Sequence, residues 1–318
     1  MPILSPTPEN ITEAARHLIS GGLVGMPTET VYGLAADATN GRAVAQIYEL
    51  KGRPAFNPLI IHVADVAAAE KLAVLDERAQ FLARRLWPGA LTLVLPRRAD
   101  SFISGLATAG LDTIAIRIPD HGVALDLLRT VNRPLAAPSA NLSGHLSPSL
   151  PGHVALEFGN QLGIILDGGP CRVGLESTVL DLTGPLATIL RPGGITRETI
   201  EASIGPVSAA NPHIPESPKS PGMLASHYAP SLPLRLDWTH PGEKEALLAF
   251  GPLIPEGFAT VLNLSETGDL HEAAANLFAY LHALDTPEHS GIAVMPVPNQ
   301  GLGIAINDRL KRAATPAS

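Results

Sequence analysis

Apolar residues fall at helical spacing over residues 10–20, where Ile11, Ala14, Ala15, Leu18 and Ile19 share a face and Gly21 and Gly22 supply the stop. Leu23 to Met26 then reads as a strand running into a loop, Pro27 to Gly33. The same period predicts helices over 41–50, 76–86 (begun by Asp76), 122–131 and 197–204. Short apolar runs predict strands at Leu59–Val63, 91–95, Ile114–Ile118, Gly163–Leu166, Ser177–Leu182 and Ala187–Leu190. Several are joined by short turns, so the expected architecture is α/β with a twisted mixed sheet flanked by helices.

From Gly205 to Pro230 the texture changes, with six prolines among alanine and serine. This predicts a stiff linker. Beyond it, strands at Leu247–Ile254, Thr260–Leu264 and Ile292–Val297 and helices at Leu270–Leu284 and Ile304–Ala313 predict a small Rossmann-like α/β domain. The expected division is 1–205, a linker or lid over 206–230, and 231–318.

Composition narrows the classes. The 318 residues are 45% hydrophobic but only 4% aromatic, so aliphatic side chains must fill the cores, which suits α/β layers. A net charge of -8 argues against a general polyanion binder, while leaving room for a local basic pocket and a weak RNA contact. The single cysteine, Cys171, excludes an internal disulfide and a thiolate metal cluster. Neither a leader nor a membrane span is expected, so the reading is cytoplasmic.

No P-loop, no G-x-G-x-x-G after a strand, no His-Glu-x-x-His and no G-x-S-x-G elbow occurs. What remains is a set of scattered cations and hydroxyls at strand ends and in loops. Lys51, one of five lysines, is followed by Gly52, Arg53 and Pro54, so the two cations sit within glycine and proline punctuation. Arg117 interrupts an apolar strand, where it must pair with a core carboxylate or face a wet cleft as an anion fork. Arg191, before Pro192, repeats that logic. Ser139, Asn141, Ser143, Ser147 and Ser149 populate a loop, 138–149, too polar for a core; singly they read as turn formers, together as a donor-rich strand end. His62, alone among apolar neighbours, reads more readily as a satisfied core histidine than as a ligand group. Ser220 to Pro230 ends in His227 and Tyr228, and serves either as a lid or as a spacer.

Taken together, PTETVYGL (27–34), KGRP with NPL (51–59), WPG and LTLVL (87–95), TIAIRIP (113–119), APSANLSG (137–144), ESTVLDL (176–182), ILRPG (189–193) and SPGMLASHYAP (220–230) resemble the threonylcarbamoyl-AMP synthases. These form the YrdC-like family, here in its longer two-domain form. One departure is Ala90, where relatives often carry a second proline. The resemblance implies a nucleotidyltransferase that condenses L-threonine, bicarbonate and ATP, with Mg²⁺ on the triphosphate, to threonylcarbamoyl-AMP and pyrophosphate. The product serves tRNA modification through downstream threonylcarbamoyl transferase proteins.

It further implies that Lys51, Arg53, Ser139 and Asn141 belong to the reaction site. Thr30, His62, Arg117, Ser177 and the backbone of Ala137 fall to threonine, and Arg53, Asn57, Thr113, Ser139, Ser147, Arg191 and Tyr228 to ATP. We expect Lys51 and Arg53 on the phosphates, Arg117 on the threonine carboxylate and the 220–230 strap closing on ATP. Two alternatives are an RNA-binding module and a carbamoyl transferase of the same fold.

Overall fold

Capping side chains start the helices where the apolar period begins. In the computed structural model, which describes residues 3–210, 228–236 and 239–315, Thr7 caps α1 (Pro8–Ile19), Asn40 caps α2 (Gly41–Lys51), Asp65 caps α3 (Val66–Glu70) and Asp76 caps α4 (Glu77–Leu86). The chain continues with α5 (Gly122–Val131), α6 (Pro151–Phe158) and α7 (Arg197–Ile204).

Among these helices run β1 (Ile3–Leu4), β2 (Val24–Met26), β3 (Gly33–Asp37), β4 (Ile60–His62), β5 (Leu91–Pro96), β6 (Thr113–Arg117), β7 (Leu135–Ala136), β8 (Ile164–Leu166), β9 (Thr178–Asp181), β10 (Thr188–Arg191) and β11 (Ser208–Ala209). They form one sheet in the order β1-β8-β2-β3-β7-β4-β6-β5-β9-β10-β11. The sheet is mixed, as its short connections require: β4 runs parallel to β6 and β5 to β9, whereas β5–β6 and β9–β10 are antiparallel.

The second unit holds β12 (Leu234–Arg235), β13 (Ala246–Ala249), β14 (Thr260–Asn263), α8 (Leu270–Leu284), β15 (Ile292–Val294) and α9 (Leu302–Ala313). Its four strands are all parallel, in the order β12-β15-β13-β14. The two units share a core: Val31, Leu146 and Leu175 of the first pack in one cluster with Leu277, Phe278, Ile306 and Leu310 of the second.

Three expectations change. The large sheet continues to β11, past the boundary at residue 205. The polar 138–149 loop is largely buried: Asn141, Ser147 and Ser149 lie inside, with Lys51 and Glu176 reaching the loop from other segments. The strand expected over 247–254 stops at Ala249, ahead of Gly251 and its positive φ of 89°. Most of the proline-rich linker, residues 211–227, and with it most of the expected strap, lies outside the described residues.

Candidate active site

The parallel pairing of β4 with β6 sets His62 opposite Arg117 at the carboxyl ends of both strands, where open α/β sheets bind ligands. β9 starts just after Ser177, and β10 ends at Arg191, beside a break in the β9–β10 register. The turn before β3 is closed by Thr28, whose hydroxyl lies 2.8 Å from that of Thr30 and donates to the Val31 carbonyl. These ends converge. Thr28, Thr30, Arg53, His62, Arg117, Ala137, Ser139, Glu176, Ser177, Arg191 and Tyr228 line one cleft.

Arg117 takes both options open to it. Its guanidinium pairs with Glu29 at 2.6 Å and donates to Thr30 Oγ1 at 2.8 Å and to the Gly89 carbonyl at 3.1 Å, yet it also lines the cleft. The pair is deeply buried, so each partner needs the other. Arg53 is anchored on the carbonyls of Asn57 and Pro58, and burial lowers its pKa to about 10. Arg191 donates to the Ser177 carbonyl at 2.8 Å, and burial lowers its pKa too.

Burial, followed by the charge of Arg117, pushes His62 down to about 3, so its imidazole is neutral. Its Nδ1 and the Nε of Arg191 are buried with no hydrogen-bond partner among the described residues. Orphaned polar atoms on a cleft wall call for a ligand.

Lys51 does not line the cleft. α2 ends there because Gly52 takes the left-handed conformation, φ 58°, and the lysine turns under the 138–149 loop. Its ammonium donates to the main-chain carbonyls of Ser139 and Asn141, while Ser143 N–H bonds back to the Lys51 carbonyl. This geometry makes the ammonium a latch on the loop. Asn141 is likewise turned inward, donating to the Leu142 and His145 carbonyls. Ser147 donates to Glu176 at 2.5 Å, behind the cleft wall. Thr113 opens β6 on the same face as Arg117 but four residues away and outside the lining.

The family model for the Sua5, YciO and YrdC domain, described as telomere recombination, matches residues 16–193. The chain belongs to that family. A second model, the threonylcarbamoyl-AMP synthase C-terminal domain, matches residues 195–315. A Bacillus subtilis threonylcarbamoyl-AMP synthase is 43% identical, over 98% of this chain and 94% of its own. A Pyrococcus abyssi threonylcarbamoyl-AMP synthase is 41% identical, over 95% and 93%. The crystal structure of Pyrococcus abyssi Sua5 complexed with L-threonine superposes with a TM-score of 0.86 at 39% identity, covering 96% of this chain and 94% of that one.

Of the residues that the family resemblance singles out, Thr30, Arg53, His62, Arg117, Ala137, Ser139, Ser177, Arg191 and Tyr228 gather on the one cleft. Lys51, Asn57, Asn141 and Ser147 stand behind its walls. Sequence reasoning passed over Glu29 and Glu176. Each had a signal: Glu29 is an acid between two threonines of an otherwise apolar run, and Glu176 stands just ahead of a buried strand.

Proposed function

We propose that the protein joins L-threonine, bicarbonate and ATP into threonylcarbamoyl-AMP with release of pyrophosphate. The observation that carries this reading is the convergence of Arg53, Arg117 and Arg191, drawn from three distant segments, on a single cleft with Ser139, Ser177 and Tyr228. The relatives' shared name and the threonine complex of the Pyrococcus abyssi protein support it.

The chemistry needs such a site. The threonine nitrogen bonds the bicarbonate carbon as water leaves, giving a carbamate. A carbamate oxygen then attacks the α-phosphorus of ATP, the bond to the bridging oxygen breaks, and pyrophosphate departs. Both partners are anions, so holding them together and stabilising spread charge is most of the catalysis.

We assign Arg117, Thr30, His62, Ser177 and the Ala137 backbone to threonine. Arg53, Ser139, Arg191 and Tyr228, supported by Asn57, Ser147 and Thr113, go to ATP. Lys51 and Asn141 keep the 138–149 loop in register. Among the described residues no cluster of three or more His, Cys, Asp or Glu stands ready for a metal. The cleft's carboxylate, Glu176, already accepts from Ser147 and Arg309. Mg²⁺ would therefore arrive on the phosphates.

We place the product in tRNA modification, handed on to threonylcarbamoyl transferase proteins, and the protein in the cytoplasm. No described helix is long and apolar enough to cross a membrane. The test is pyrophosphate release from ATP with threonine and bicarbonate omitted in turn, and product identification by mass. Release should require all three substrates. Release that ignores threonine, or a salt-dependent RNA shift with no release, would sink the assignment.

A further inference from the structure

We propose that Arg309, on α9 of the second unit, is a positioning residue for the ATP side of the cleft, acting through Glu176 and Tyr228. The proposal rests on the reading of this cleft as an ATP site.

Arg309 is fully buried. Its Nε donates to Glu176 Oε2 at 2.9 Å, and its guanidinium carbon lies 5.1 Å from the centre of the Tyr228 ring, a cation–π contact. The other Glu176 oxygen accepts from Ser147. Asp308 pairs with Arg309 from behind at 2.7 Å. Thus a side chain of the second unit touches two residues of the cleft wall, Glu176 and Tyr228.

Charge explains why an arginine stands there. A buried ion pair is seldom the most stable filling for a core, so its presence asks for a reason. Glu176 lies in the field of both Arg309 and Arg191, which outweigh its burial and bring its pKa down to about 2. Asp308 is shared with Arg312, so with Arg309 in place Arg191, Arg309 and Arg312 set against Glu176 and Asp308 leave a net positive charge for an anionic ligand. Without it, Glu176 neutralises Arg191, and the cleft loses the cation assigned to ATP.

The seam is tight at this point. A Cβ on Gly174, two residues before Glu176, would meet the Ala274 carbonyl oxygen at 2.3 Å and Ala275 Cα at 2.5 Å. Leu175, between them, is buried in the core shared by both units. The second unit is thereby coupled directly to Glu176.

The experiment uses the full chain, with ATP and threonine affinities measured separately by calorimetry alongside steady-state pyrophosphate release. In Arg309→Met the Kd and KM for ATP rise roughly tenfold or more, while threonine affinity stays within about twofold. Arg309→Lys, which keeps the charge but not the fork, recovers part of the loss. The double variant Arg309→Met with Glu176→Gln binds ATP better than Arg309→Met alone, because Arg191 is no longer neutralised.

A residue with a merely structural role would lower the melting temperature and the active fraction and leave ATP affinity unchanged. That result overturns the proposal, as does an equal loss for both ligands or a double variant no better than the single. If Arg309→Met does not fold, Arg309→Lys and the double variant carry the same comparison. Failure of the unaltered protein to release pyrophosphate would count against the proposed function, while the ATP calorimetry would still decide the part played by Arg309.

Discussion

The ammonium of Lys51 lies 2.6 Å from the main-chain carbonyl oxygen of Ser139, bridging 88 residues of chain between the end of α2 and the loop after β7. It bonds the Asn141 carbonyl as well, so one lysine fixes both ends of the Ser-x-Asn segment. Lys51→Met keeps the aliphatic stem but leaves the buried Asn141 carbonyl without its donor, at about 1–3 kcal/mol, and the Ser139 carbonyl with only the Asn141 N–H. Displacing Ser139 by about an ångström is enough to lower kcat/KM about 10²-fold. Steady-state pyrophosphate release and a thermal melt should show both losses together. Normal turnover in a destabilised protein would remove the latch from the reaction site.

The Arg117–Glu29 pair yields a second prediction. Arg117 pairs with Glu29 and donates to Thr30 and the Gly89 carbonyl at the same time as it faces the cleft, so the protein fixes the orientation of the planar fork. A lysine supplies the charge without the fork. Arg117→Lys should raise the KM for threonine about tenfold, corresponding to one lost charge-assisted contact of about 1.4 kcal/mol, and leave the KM for ATP nearly intact. Titrating each substrate at saturation of the other checks this. An unchanged threonine KM would remove Arg117 from the threonine subsite.

How much of this was legible beforehand depends on what kind of signal each feature leaves. Helices with a capping side chain and an apolar stripe, such as α4 behind Asp76 and α8 behind Asp269, carry both of their boundaries in local chemistry. Strand β3 does not: Gly33–Asp37 is buried at every position, so it lacks alternation. The cleft's cations stood out because an arginine in an apolar strand must be explained. Their convergence did not, since the order of an eleven-stranded sheet depends on pairings between segments far apart in sequence. The roles of Lys51 and Arg309 were hidden for the same reason: both depend on partners about ninety or more residues away, Asn141 at a separation of 90 and Glu176 at 133.

The seam between the units also makes stability depend on pH. His153 of α6 stacks on His282 of α8 with ring centres 3.8 Å apart, and His153 Nδ1 accepts from the Ser149 N–H. Burial, then the neighbouring His282, depresses the His153 pKa from its ordinary 6.5 to about 3. Below 6.5 the unfolded chain therefore takes up a proton that the folded chain refuses, so folding is progressively destabilised as pH falls from 6.5 toward 3. The melting temperature should drop between pH 7 and pH 5. His153→Gln should flatten that drop but not abolish it, because His62 is depressed over the same range. An unchanged slope in the variant would remove the stack as the source.

Gly193 offers a steric test of the wall that carries Arg191 and Ser177. An added Cβ there would meet the Glu176 carbonyl oxygen at 2.3 Å, the Ser177 carbonyl carbon at 2.5 Å and the Thr178 nitrogen at 2.6 Å. All three are backbone atoms, so no side chain can swing aside to make room. The turn after β10 must therefore move away from the start of β9. Gly193→Ala should separate Arg191 from the Ser177 carbonyl to which it now donates, and disturb the threonine and ATP sides of the cleft together. Both KM values should rise, with stability falling by about 1–3 kcal/mol from the strain of overpacking. This joint rise distinguishes the glycine from Arg117, whose replacement is selective for threonine. A Gly193→Ala protein with both KM values unchanged would mean that the wall tolerates displacement and that its geometry is not what holds the substrates.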